Sequence, residues 1–127
     1  MKIQKPTDAE LEILQVMWVH GPSSVRFIND QLNQKREIGY TTTLKLMQIM
    51  LEKGLLHRDT ENRSHIYEVT VSEEVTQQLL LEEFVENTFR GSAMKLVMQA
   101  LGNHSTSDSE LEAIKSLIQQ LENDQQS

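Results

Sequence analysis

At Gly54 the apolar pattern of this chain changes period, and no other feature limits the fold as tightly. Before it, apolar residues recur at helical spacing in three short blocks. After it, residues 55–58 and 64–71 read as two short strands, and in the second His65, Tyr67 and Val69 alternate with Ile66, Glu68 and Thr70. The first block opens on Thr7-Asp8-Ala9-Glu10, where Thr7 can cap and Glu10 can reach back to it. Leu11, Ile13, Leu14, Met17 and Trp18 follow, and Gly21-Pro22 stops the helix. Ser23 and Ser24 are candidate caps of a second helix striped by Val25, Ile28 and Leu32, and the polar run from Asn33 to Glu37 closes it. A third helix is predicted from about Tyr40-Thr41 to Lys53-Gly54, where glycine suits the left-handed position after a helix. The polar turn 59–63 then joins two short strands as a hairpin.

Three helices and a hairpin within about 70 residues are the element order of a winged helix-turn-helix. The rest of the chain reads as helix, so the expected fold is mainly α. One long helix is predicted over 72–89 and broken at Gly91-Ser92. In a shorter one Met94, Val97, Met98 and Leu101 share a stripe. Residues 102–106 read as a loop. Ser107-Asp108-Ser109-Glu110 is a second capping-box pattern, opening a last helix that frays over 123–127. The expected division is a winged-helix DNA-binding domain over 1–71 and a helical dimerisation domain over 72–127. Some 50 residues in three amphipathic helices bury too little surface to stand alone. They are expected to pair with a second copy through Leu79, Phe84, Val97, Leu101, Leu111, Ile114, Leu117, Ile118 and Leu121.

Composition removes several chemistries. The chain has no Cys, which excludes disulfides, zinc–thiolate sites, iron–sulfur clusters and thiol catalysis. No apolar run is long enough to cross a bilayer, so no direct membrane insertion is expected. Met1 to Pro6 lacks an apolar stretch behind its charges, and a cytoplasmic protein without a secretory signal is the expectation. No phosphate-binding loop, dinucleotide fingerprint, nucleophile elbow or zinc-protease motif occurs. Of His20, His57, His65 and His104, only His57 and His65 are placed to meet, across the hairpin, without an evident third ligand. No catalytic residue, metal or cofactor is expected. The net charge is −7, but residues 1–70 balance nine basic against nine acidic side chains, and the acidic excess lies beyond them. A neutral head on an acidic tail can still present one basic face, because charge acts within about 8 Å at physiological salt.

The third helix is where such a face would lie. At 100° per residue, Thr43, Leu46, Met47 and Met50 share the core side, while Thr41, Lys45, Gln48 and Glu52 share the opposite one, flanked by Thr42 and Leu44. Hydroxyls and free N–H groups near a helix N-terminus suit phosphate. Lys45 and Gln48 suit base edges, and Leu44 a thymine methyl. A merely solvated face is the competing reading. Lys35, Arg36, Arg58, Arg63 and His65, near the helix and on the hairpin, favour nucleic acid, whereas Glu52 and Glu61 count against it. The methionines and Trp18 read as core.

Thr7 to Leu14 with Trp18 and His20-Gly21-Pro22, Tyr40-Thr41-Thr42-Thr43-Leu44 leading to Leu51-Glu52-Lys53-Gly54-Leu55-Leu56, and Asn62 to Tyr67 together resemble the penicillinase-repressor family, the BlaI/MecI/CopY group. The resemblance spans nearly the whole chain. It implies a dimeric bacterial repressor, with the winged helix on two-fold symmetric operators near TACA/TGTA half-sites. Carried over, Thr41 and Thr42 match operator-contacting positions, Tyr40 the residue entering that helix, and Arg63 a wing position near the backbone. Leu44 stands where methicillin-type repressors carry Arg. Copper-responsive members end in Cys-x-Cys motifs, which this chain lacks. β-Lactam-responsive members are cut by a membrane-bound sensor metalloprotease at an Asn-Phe bond that aligns with Gln99-Ala100 here.

The leading expectation is therefore a sequence-specific repressor binding double-stranded operator DNA as a homodimer. Two alternatives stay open: a winged-helix module that holds protein without sequence-specific DNA binding, and a regulator with a small-molecule pocket.

Overall fold

The protein, as a computed structural model, is described over residues 5–59, 65–103 and 105–126. The winged-helix order holds: α1 (Asp8–His20), α2 (Val25–Asn33), α3 (Tyr40–Glu52), the strands β1 (Leu56–Asp59) and β2 (Ile66–Val69), then α4 (Glu73–Phe89), α5 (Ala93–Asn103) and α6 (Asp108–Gln126). Two compact units divide the chain, Met1–Glu82 and Glu83–Ser127.

In the first unit, each helix begins where its cap dictates. The Thr7 hydroxyl accepts from Glu10 N–H while the Glu10 carboxylate accepts from Thr7 N–H, closing the capping box of α1. Of the two candidate serines it is Ser24 that caps α2, accepting from Phe27 N–H. Ser23 is used differently. Its N–H and C=O pair with the C=O and N–H of Tyr67 at 3.0 and 2.9 Å, so the connection after α1 adds an isolated antiparallel bridge beside β2. The hairpin is antiparallel in the register Leu56↔Val69, His57↔Glu68, Arg58↔Tyr67 and Asp59↔Ile66. That register places His57 opposite Glu68 rather than His65, so the two histidines do not face each other across the hairpin. Arg63 and the rest of residues 60–64 lie outside the described residues.

The core forms where the three helical stripes meet the inner face of the hairpin. Ile13 and Leu14, Ile28, Met47 and Met50, and Tyr67 are all buried. Trp18 lies at its edge and donates from Nε1 to the Val71 carbonyl at 3.2 Å, joining α1 to the segment before α4. Gly54, at φ 82, takes the left-handed turn that ends the α3 region, a conformation that costs other residues a Cβ clash. The Thr70 hydroxyl donates to the Gly54 carbonyl, binding this turn to the end of β2. In α4 the inward residue near the start is Thr76, buried with its hydroxyl donating to Ser72 C=O at 2.9 Å, while Val75 is exposed.

The second unit differs in kind. Phe84 and Phe89 meet edge to face, with ring centroids 5.5 Å apart. Arg90 and Gly91, at φ 54 and 82, then end α4. Two boundaries correct the expectation: α5 continues through Gly102 and Asn103, and α6 continues to Gln126. A glycine inside a helix costs only about 1 kcal/mol against Ala, too little to stop one by itself. Neither α5 nor α6 has a buried residue. Among the described residues no helix is long and apolar enough to cross a membrane.

Candidate nucleic-acid interface

Helix α3 begins at Gly39, which offers no side chain to cap it. The first N–H groups of the helix are therefore left to solvent or to a ligand. Around that end stand Tyr40, Thr41 and Thr42, all exposed, and one to two turns on stand Lys45 and Gln48, also exposed. Leu44 is half-buried at the edge of the core, so only part of it is available beside them. The opposite side of the helix, Thr43, Met47 and Met50, is buried. Thus five of the seven residues named from the sequence are exposed together on one helix, and Leu44 borders them. Arg63 belongs to the stretch outside the described residues.

Two polar clusters hold this helix in place, and neither is apparent from periodicity. In the first, Asn29 Nδ2 donates to the Thr43 hydroxyl at 2.8 Å and to Ile38 C=O at 3.1 Å. Asn33 Nδ2 donates to the same Ile38 carbonyl at 2.9 Å, and its Oδ1 accepts from Ile38 N–H at 3.2 Å. The pair, one helical turn apart on α2, thereby grips the residue before the α3 N-cap and the first buried residue of α3. Thr43 is fully buried, and the Asn29 amide satisfies its hydroxyl.

In the second cluster, Lys53 Nζ donates to both carboxylate oxygens of Glu10 at 2.8 and 2.9 Å. Glu10 is 2% exposed and Lys53 29%. Burial works to raise the Glu10 carboxyl. The Lys53 hydrogen bonds and charge, with the Thr7 N–H, outweigh it and hold the group below its ordinary range. The glutamate of the capping box therefore also ties the start of α1 to the end of α3.

Arg36, one of the basic residues close before α3, is engaged elsewhere. It donates to Glu12 of α1 at 2.8 and 3.4 Å. Lys45 forms no ion pair among the described residues, which leaves its ammonium available at the exposed face. Among the described residues no group of three His, Asp or Glu could hold a metal ion.

Residues 6–120 match the family model described as penicillinase repressor. The penicillinase repressor of Bacillus licheniformis is 22% identical over 122 residues, covering 96% of this chain and 95% of that protein. The methicillin resistance regulatory protein MecI of Staphylococcus aureus (strain N315) is 20% identical over 117 residues, covering 92% and 95%. Among solved structures, the solution structure of Bacillus licheniformis BlaI, in its monomeric form with the blaP half-operator, is similar at a TM-score of 0.51. It is 26% identical and covers 57% of this chain and 89% of that one.

Proposed function

We propose that this chain, which belongs to the penicillinase repressor family, is a sequence-specific DNA-binding transcriptional repressor that acts as a homodimer on a two-fold symmetric operator. One observation carries the reading. The exposed face of α3 brings Thr41, Thr42, Lys45 and Gln48 together at an uncapped helix start, in a fold similar to that of a relative solved with its half-operator. In this reading the α3 N–H groups and the threonine hydroxyls hold phosphate, while Lys45 and Gln48 reach base edges in the major groove. Tyr40 and Leu44 border the contact, and Arg63 approaches the backbone from the wing.

Dimerisation is supported by the second unit. Val97, Leu101, Leu111, Leu117, Ile118 and Leu121 are each between 39% and 53% exposed in the single chain. Ile114 is half-buried and Phe84 is exposed, and Leu79, on the part of α4 in the first unit, is half-buried. An apolar area of this extent on a lone chain suits burial against a second copy. Two joined heads bind two half-sites with an affinity that neither reaches alone. Relief by proteolysis, at or near Gln99 and Ala100 and by a membrane-bound sensor metalloprotease, fits the same arrangement. Both residues are exposed within α5, and a helix without buried residues opens locally at small cost. A cut there divides the apolar surface that pairing needs.

The test is fluorescence anisotropy of the full chain on the DNA upstream of its own gene, against scrambled DNA, with salt varied. Discrimination by about 10³ or more with a steep salt dependence is expected. Weak binding, equal on this DNA and on a genomic fragment pool, would refute the repressor reading in favour of a protein-interaction module.

A further inference from the structure

Arg26 is the second residue of α2, 14 positions before Tyr40, and lies outside the basic stretch that surrounds α3 in sequence. In the fold its guanidinium sits over the Tyr40 ring, 5.5 Å from the centroid. Tyr40 is the first residue of α3 and is 45% exposed, and Arg26 is exposed as well. No carboxylate lies within 4 Å of the Arg26 side chain among the described residues, whereas Arg36 is paired with Glu12 and Lys53 with Glu10. The fold thus neutralises two basic side chains around α3 and leaves this one charged, bordered by an aromatic ring and next to Thr41.

We infer that Arg26 is an operator-binding residue, contacting a backbone phosphate beside the α3 face, and that Tyr40 acts as the platform that orients it. The inference rests on the repressor reading above. An exposed arginine ordinarily samples many rotamers, and stacking on a ring restricts the guanidinium before the ligand arrives. Its planar fork then suits two phosphate oxygens. Because a phosphate carries no sequence information, Arg26 contributes affinity and register, not base choice. Tyr40 in this arrangement works through Arg26 and is a positioning residue.

The test uses full-length protein in anisotropy titrations from about 50 to 200 mM salt, on operator and scrambled duplexes. R26Q is expected to flatten the log–log salt slope by about 0.9 per half-site and to weaken binding roughly five- to tenfold per half-site near 0.1 M salt. The loss should be alike on both duplexes. R26K should restore the slope but only part of the affinity. Y40L should lose about two- to fivefold in the wild-type background, the worth of an exposed cation–ring contact, with the slope kept. In the R26Q background Y40L should cost nothing further. A slope and affinity unchanged in R26Q would overturn the assignment of Arg26. A Y40L loss of equal size in both backgrounds would overturn the platform role. Wild-type protein that fails to bind DNA would sink the repressor reading itself, a result separable from either of these.

Discussion

Replacing Lys53 by Met leaves the Glu10 carboxylate, 2% exposed, with the Thr7 N–H as its remaining partner. Two hydrogen bonds, at 2.8 and 2.9 Å, and the opposing charge go together. Breaking a buried ion pair from one side costs about 3–5 kcal/mol. Water reaches the Lys53 side of this pair, so a loss of about 2–3 kcal/mol at pH 7 is expected, a large share of the ~5–15 kcal/mol that stabilises a typical domain. The pH dependence identifies the cause. In the wild type the Glu10 carboxyl lies below its ordinary value of 4.5, so its contribution is complete above that value and is lost as pH falls through the folded one. Without Lys53, neither its hydrogen bonds nor its charge offsets burial, and the carboxyl rises from its wild-type position. The folded variant then binds the proton more tightly, and the penalty of K53M shrinks on acidification from pH 7 towards pH 4. The assay is urea unfolding followed by the fluorescence of Trp18, the only tryptophan, which lies at the edge of the core in the same unit. Protein concentration is held constant so that association does not enter the comparison. K53M within about 0.5 kcal/mol of wild type at pH 7, the scatter of an ordinary surface substitution, would refute the reasoning. So would a penalty that stays constant with pH.

Three further outcomes are expected. Asn29→Ala removes the donor to the buried Thr43 hydroxyl and one donor to Ile38 C=O, and should cost about 1–3 kcal/mol in unfolding experiments. At temperatures where the variant stays folded, its operator affinity should fall more than its affinity for scrambled DNA, since α3 loses its hold. Gln48→Ala should weaken operator binding by about 1–3 kcal/mol and relax preference at one base pair, measured by competition with single-base operator variants. Leu117→Glu, placing a charge in the α6 stripe, should give a monomeric mass in sedimentation velocity with the Trp18 emission of the head unchanged.

Much of the head was legible in its residues because the signals there are local. Thr7 with Glu10, Ser24 before Val25, and Gly54 after Lys53 each act through backbone groups within four residues, so the helices they bound appear in the structure close to where they are read. The stripe Val25, Ile28, Leu32 and the inner side of α3 are likewise buried as their spacing predicts. Two of the misreadings, at Ser23 and Arg36, originate in contacts between distant segments. Ser23 reads as a second cap because a serine before a helix carries the same signal whether or not a strand lies beside it. Arg36 reads as a free cation because Glu12 is 24 positions away. The ends of α5 and α6 read too early because Gly102 and the polar terminal run are weak stops rather than absolute ones.

Because caps, glycine turns and hydrophobic period act over a few residues, the order of elements, the winged-helix architecture and the composition of the exposed α3 face follow from local sequence. How that face is held, and which cations beside it stay free, depends on packing between segments far apart in the chain. Asn29 and Asn33 become a clamp only when α3 packs on α2. Glu10 becomes an ion pair only when Lys53 arrives from 43 positions along the chain, and Arg26 gains its ring only when Tyr40 comes alongside. A side chain's chemistry is written in the sequence, but its partner is chosen by packing, and the partner decides whether a charge fastens the fold or remains for a ligand.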